Sequence, residues 1–358
     1  MTIPAPLVRD SAGFLPVEGA DPLLAARDLV AADLARFEET LEAALAPQQN
    51  YLSPTEYELY RRGKKLRPVM LLLSARLCAG GEVDLPYKAI RAATSLEMLH
   101  VATLIHDDIV DVAPVRRGMP SVFADRGTEM AVLIGDMQFI QAVRCFSDGV
   151  ETQEDMRLVR LVLEVGFKIC CGEIDELQTD PTLSSDDLRE RYFSTVDRKT
   201  AALFGLACEA GASLVGARTR ATVMVSRFGR CFGRAFQIMD DLFDFVRSDD
   251  VAGKVQGTDL RQRRLTLPII NALETLPADH VLRRVIGREP FTEPDIAESI
   301  NAVVTSAGFF AAYSEARRKI IEAVEYLKPF PPGPYRDAMM AIAHYVVDRG
   351  VDGARSEL

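Results

Sequence analysis

The sequence has no tryptophan, and aromatic residues of all kinds make up only 7% of it. It has no C-x-x-C pair. Cys78, Cys145, Cys170, Cys171, Cys208 and Cys231 lie in apolar, helix-patterned segments and read as buried free thiols of a reducing compartment. No basic start followed by an apolar run opens the chain, so no signal peptide is expected. No uncharged apolar stretch reaches the roughly 20 residues that span a bilayer, and no basic amphipathic helix suggests a fixed anchor. Positive charge is not in excess either. The net charge of −10 argues against nonspecific nucleic-acid binding. Period-2 alternation and short-period repeats are missing as well. These absences leave a cytoplasmic helical protein as the expectation.

What is present is length and apolar content: 358 residues, 48% of them hydrophobic, ample for a large core. Residues 1–20 are rich in Pro, Ala and Gly without a period, and read as a loose arm. Asp21-Pro22 is a helix start, and Val30, Leu34, Phe37, Leu41 and Leu45 follow at helical spacing. Ser53-Pro54-Thr55-Glu56 is a capping box. Helix is then expected from about Pro68 to Leu77, and over about 86–111, 128–147, 152–178, 185–214, 217–246 and 333–349. The expected fold is a single all-α domain over 21–358, a large helical bundle around a deep central cavity.

Two stretches carry the chemistry. Asp107, Asp108 and Asp111 end one apolar helix, and Asp240, Asp241 and Asp244 end another. Like charges at i and i+4 destabilise a helix, and so do carboxylates near its C-terminus. A hard divalent cation held by carboxylate oxygens would offset both penalties. One such cluster reads equally well as a solvated acidic helix end. Two clusters facing each other suit several Mg²⁺ ions shared with a diphosphate.

The basic residues run against the acidic trend. Lys64 and Arg67 lie in a basic run broken by Gly63, and Arg116-Arg117-Gly118 closely follows Asp111. Arg67 could fork onto a phosphate while Lys64 acts as a point charge. His100 lies two turns before Asp107, and a satisfied core histidine is the commoner role at such a position. His106 adjoins Asp107 and is expected to support it. Lys199-Thr200 sits in an apolar helical segment, where a lysine needs an anionic partner or must reach solvent. Gln237 is one turn before Asp241. Gly253-Lys254 opens a loop that reads as a phosphate-seeking lid and does not match G-x-x-x-x-G-K-[ST].

In this order, from about Arg61 to Arg349, these motifs resemble the trans-isoprenyl diphosphate synthases (polyprenyl synthetases), with long-chain bacterial members most similar. Gly135-Asp136, Gly172-Glu173 and Leu265-Thr266-Leu267-Pro268 add to the resemblance. It implies a prenyltransferase condensing isopentenyl diphosphate with an allylic diphosphate. The six aspartates would bind Mg²⁺ on the allylic diphosphate. Arg116, Lys199 and Lys254 would contact that diphosphate, and Arg264 stands where a further lysine contact is usual. Lys64, Arg67, His100 and Arg117 would hold isopentenyl diphosphate, and Thr200 and Gln237 would line the space where cationic charge develops. Three departures stand out: Arg62 for a Gly, Arg263-Arg264 for Gly-Lys, and Glu176 for a Gln.

Product length should follow from what lies beneath the metal site. Ala102 and Thr103 are small, so the growing tail should pass them toward Leu99, with Phe139 or Phe146 as a lower floor. That packing implies a product of about C20 or longer, leaning to about C30–C50. Homodimerisation is implied by the resemblance, and transient membrane contact is plausible for so apolar a product. A class I terpene cyclase, or a non-catalytic partner subunit of a heteromeric synthase, are the competing readings. Neither needs both complete acidic motifs together with a second cationic group.

Overall fold

The computed structural model describes residues 21–80, 84–246, 256–287 and 289–355, the last seven as backbone only. Asp21 accepts from the Leu23 amide at 2.8 Å and opens α1 (Pro22–Leu29). The expected first helix breaks at Val30 into α1 and α2 (Ala31–Leu45), and its apolar stripe is buried throughout. Ser53 and Glu56 form the expected capping box of α3 (Pro54–Arg61). α4 (Leu66–Ala79) starts two residues earlier than expected because Lys65, at φ +54, makes the left-handed turn before it.

The long helices follow: α5 (Tyr87–Val110), short α6 (Val122–Arg126), α7 (Thr128–Ser147) and α8 (Gln153–Leu177). The sequence pattern predicts one helix over 185–214. The structure instead shows α9 (Ser185–Val196), a π-turn over Asp197–Ala201 and α10 (Ala202–Leu214). α11 (Thr219–Val246), short α12 (Thr258–Arg261), α13 (Leu267–Thr275), α14 (Val281–Ile286), α15 (Glu293–Thr305), α16 (Ala307–Leu327) and α17 (Pro334–Arg355) complete the chain. The strand content among the described residues is one hairpin, β1 (Val115–Arg116) with β2 (Met119–Pro120), which sequence pattern did not reveal.

α10 is apolar but for Glu209 and Ser213 and lies at the centre, packed between α4 and α11, with α5 and α8 also against it. Close approach is what its small residues allow. A Cβ on Gly211 would stand 2.2 Å from the Leu71 carbonyl oxygen of α4. Gly211→Ala is therefore expected to destabilise the fold by about 2–3 kcal/mol through overpacking. Thermal melting checks this, and an unchanged midpoint would mean that the two backbones do not meet this closely. A smaller apolar cluster joins α12 to α15 beside the main core.

The cysteines differ in part from expectation. Cys145, Cys208 and Cys231 are buried, Cys78 and Cys171 are half-buried, and Cys170 is exposed on α8; all six are free. No described helix is long and apolar enough to cross a membrane.

Candidate active site

The C-terminal ends of α5 and α11 open onto one cavity of about 880 Å³, walled also by α8, the π-turn and the turn before α4. This is ample for a small-molecule site.

The α5 face that meets the cavity carries His100, Thr103, Leu104, Asp107 and Asp111. Asp107 is pushed up to about 7 by burial and then by the nearby Glu173 carboxylate. Asp108 does not line the cavity. It is fully buried and accepts from Arg116 Nε at 2.7 Å and Nη2 at 2.5 Å. The β1–β2 hairpin makes this pairing possible. Arg117 and Gly118, at φ +54 and +75, form its two-residue turn. Arg116 thereby folds back onto α5, while Arg117 is carried to the opposite wall and donates to the Leu59 carbonyl.

On α11, Asp240 is exposed at the cavity. Asp241 is buried and accepts from Tyr192 Oη at 2.5 Å and Gln237 Nε2 at 2.9 Å. Gln237 in turn accepts from the Thr200 hydroxyl at 2.7 Å. Burial, opposed by these two hydrogen bonds, leaves Asp241 raised to about 7. Asp244 accepts the Thr258 and Asp259 amides at 3.2 and 3.0 Å, tying the end of α11 to α12.

The π-turn explains how neighbouring Lys199 and Thr200 both reach the cavity. Asp197 at its start is clamped by Arg230 at 2.8 Å and Arg234 at 2.7 Å. Gly172 of α8 lets it close, since a Cβ there would stand 2.8 Å from Lys199 Cγ. Lys199 Nζ then lies 2.5 Å from Glu173 and 2.7 Å from Glu176. Arg264 reaches Asp111, with Glu176 at 3.6 Å and Glu173 at 4.0 Å. The missing Gly before it is accommodated: Arg263 takes φ +59 itself, a conformation costing roughly 1–2 kcal/mol in an L-residue.

The remaining cations form a second group. Lys64, Arg62, Arg67, His100 and Arg117 line the same cavity. Arg67 stacks on Phe204, 4.6 Å from the ring centroid, and burial lowers it to about 10. His100 is held well below its usual value by burial and by the surrounding Arg67, Arg117 and Arg116, so it is neutral. Gly63 lets the Arg117 guanidinium lie close against this turn, since a Cβ there would stand 2.6 Å from it.

Several sequence-derived expectations are changed. His106 faces α7, 3.4 Å from Asp136, rather than supporting Asp107. Leu99, Ala102 and Phe146 are core residues outside the cavity wall, and Phe139 packs toward Gly166 of α8. Thr103 does line the cavity, with Ile169, Val196, Phe236 and Phe243 as further apolar walls. Lys254 lies outside the described residues. Glu173, Glu176, Tyr192 and Asp259 are site residues whose place the sequence reading did not assign.

The carboxylates fit hard cations. Asp107 and Asp111 on α5 and Asp240 on α11 share one cavity, and burial and mutual repulsion oppose the charge on Asp107. Among the described residues, no three carboxylates close on a common point. Mg²⁺ is commonly bound by one or two carboxylates and completed by substrate phosphate and water.

A family model described as polyprenyl synthetase matches residues 48–303. The chain is 32% identical over 323 residues to a nonaprenyl diphosphate synthase of Mycobacterium tuberculosis, covering 89% of this chain and 93% of that one. It is 31% identical over 319 residues to heptaprenyl diphosphate synthase component 2 of Geobacillus stearothermophilus, covering 88% and 96%. Among solved structures, a polyprenyl synthase from Caulobacter crescentus, complexed with calcium and isoprenyl diphosphate, superposes with a TM-score of 0.82 at 28% identity, covering 93% and 99%. The fold, the paired acidic helix ends and these likenesses agree: the chain belongs to the polyprenyl synthetase family.

Proposed function

We propose that this chain is a Mg²⁺-dependent prenyltransferase that condenses isopentenyl diphosphate with an allylic diphosphate, making an all-trans polyprenyl diphosphate. The observation that carries this reading is one cavity lined by two groups of charged side chains, each able to take a diphosphate. Asp107, Asp111 and Asp240, with Lys199 and Arg264, form one; Lys64, Arg67 and Arg117 form the other. A single-substrate cyclase has no use for the second.

Asp107, Asp111 and Asp240 would hold the Mg²⁺, with Asp241 and Asp244 on the same cavity wall fixed by their own hydrogen bonds and Asp108 orienting Arg116. The ions would supply charge neutralisation of the leaving diphosphate. Lys199 and Arg264 bind the same diphosphate, while Lys64, Arg67 and Arg117 orient isopentenyl diphosphate. Ionisation of the allylic C–O bond leaves a cation, which the isopentenyl double bond attacks. Thr200 and Gln237 present oxygen dipoles nearby, and the apolar walls exclude water that would trap the cation. The departing diphosphate takes the proton, since burial and the surrounding Arg67, Arg117 and Arg116 make His100 a poor base.

Purified protein with Mg²⁺, farnesyl diphosphate and labelled isopentenyl diphosphate should give a metal-dependent ladder ending in one polyprenyl diphosphate. Its length should be about C20 or more, leaning to about C30–C50, because Thr103 leaves the cavity floor open. Release of cyclic hydrocarbon without isopentenyl diphosphate consumption would sink the reading.

The outer face of α7 and α8 supports a homodimer. Met156, Leu163, Phe167, Ile174 and Leu177 are exposed along one stripe of α8, and Val132, Leu133 and Ile140 along α7. The spacing on α8 is that of a helix–helix seam. Sedimentation should give twice the chain mass; a monomer, or activity recovered only with a different subunit, would refute the homodimer.

A further inference from the structure

The two cations that face the allylic site are not waiting for a ligand. Lys199 Nζ lies between Glu173 at 2.5 Å and Glu176 at 2.7 Å. Arg264 Nε lies 3.6 Å from the same Glu176 oxygen. Glu176 thus bridges both cations, at the place where diphosphate oxygens would lie on the reading proposed above. Glu173 also meets Lys199, yet it reaches Arg264 only at 4.0 Å.

We infer that Glu176 is an internal competitor of the diphosphate, a specificity-setting residue that occupies Lys199 and Arg264 until substrate displaces it. Burial works against the charge on both cations, and Glu176 is the strongest of the groups that hold them charged. With Glu176 added to Glu173 on Lys199 and Asp111 on Arg264 the pair is fully countered, and a diphosphate entering this acidic cavity gains little from it. Once displaced, Glu176 has room to turn outward, because its side chain is 24% exposed. Lys199 keeps Glu173 and therefore its position. Ionic selection follows. An anion able to hold both cations at once replaces both contacts of the bridging carboxylate, whereas a single phosphate replaces only one of them and leaves Lys199 to Glu173 or Arg264 to Asp111.

A glutamine at this position keeps the shape and removes the competing charge. Inorganic diphosphate binding by calorimetry, in Mg²⁺ buffer, should be about tenfold tighter in Glu176→Gln than in the unaltered protein, the equivalent of about 1.4 kcal/mol. The preference for diphosphate over orthophosphate should shrink in parallel. Glu176→Ala should shift in the same direction, and melting curves show whether either variant is folded. Equal or weaker diphosphate binding in folded Glu176→Gln overturns the inference, because a carboxylate that merely positions Lys199 gives that result. The unaltered protein separates this from the functional reading. If it does not bind diphosphate with Mg²⁺ at all, the proposed site is wrong, whatever Glu176 does.

Discussion

Asp107→Asn is expected to lower kcat by about 10³-fold, several kcal/mol of lost transition-state stabilisation, without loss of fold. The asparagine keeps the shape of the side chain but removes a charge-bearing oxygen from the face that meets the leaving diphosphate. In the metal-free protein that charge is unfavourable: it is buried, and Glu173 and Asp111 repel it. Melting in chelator should therefore show Asp107→Asn at least as stable as the unaltered protein. Asp108→Asn is expected to behave oppositely, although the two residues are adjacent in sequence. Asp108 is fully buried against Arg116, whose own side chain is 16% exposed. Neutralising one partner leaves a guanidinium with an amide, and breaking such a pair costs about 3 kcal/mol or more. Side-by-side melting and turnover separate the two roles. Near-normal turnover by Asp107→Asn would remove that residue from the reaction, and an unchanged melting point for Asp108→Asn would deny the buried pair.

That contrast also marks what sequence can and cannot reveal. Spacing of i and i+4 is enough to place Asp107 and Asp111 on one helix face, and the structure agrees. It cannot tell which way Asp108 turns, because the answer depends on Arg116 returning through a hairpin. That hairpin has only two residues in each strand, too short for an alternating pattern. The π-turn is hidden for a similar reason. Each residue of 197–201 suits an α-helix, and the extra residue is accommodated by a glycine on α8 and two arginines on α11. Long helices with strong apolar faces were legible almost to their ends, since burial of a stripe decides them. Glu176 was visible as a departure from the usual glutamine, yet its pairing with Lys199 and Arg264 required three distant segments to meet.

Helix geometry separates the two small residues beneath the metal site. Ala102 lies five positions before Asp107, about 140° round the helix from it, whereas Thr103 is about 40° away. Only Thr103 shares the cavity face. Thr103→Phe is therefore expected to shorten the product to about C20 or less while isopentenyl diphosphate consumption continues, because the ring fills the space beneath the metal site. The threonine hydroxyl is already turned back onto the His100 carbonyl at 2.8 Å, so its loss leaves no polar group stranded in the cavity. Ala102→Phe puts the same ring into a packed core and should cost about 1–3 kcal/mol of stability instead. Mass spectrometry of the products formed from farnesyl diphosphate reads both variants. An unchanged ladder from Thr103→Phe would mean that the tail leaves the cavity by another wall, past Phe236 or Phe243 rather than along α5.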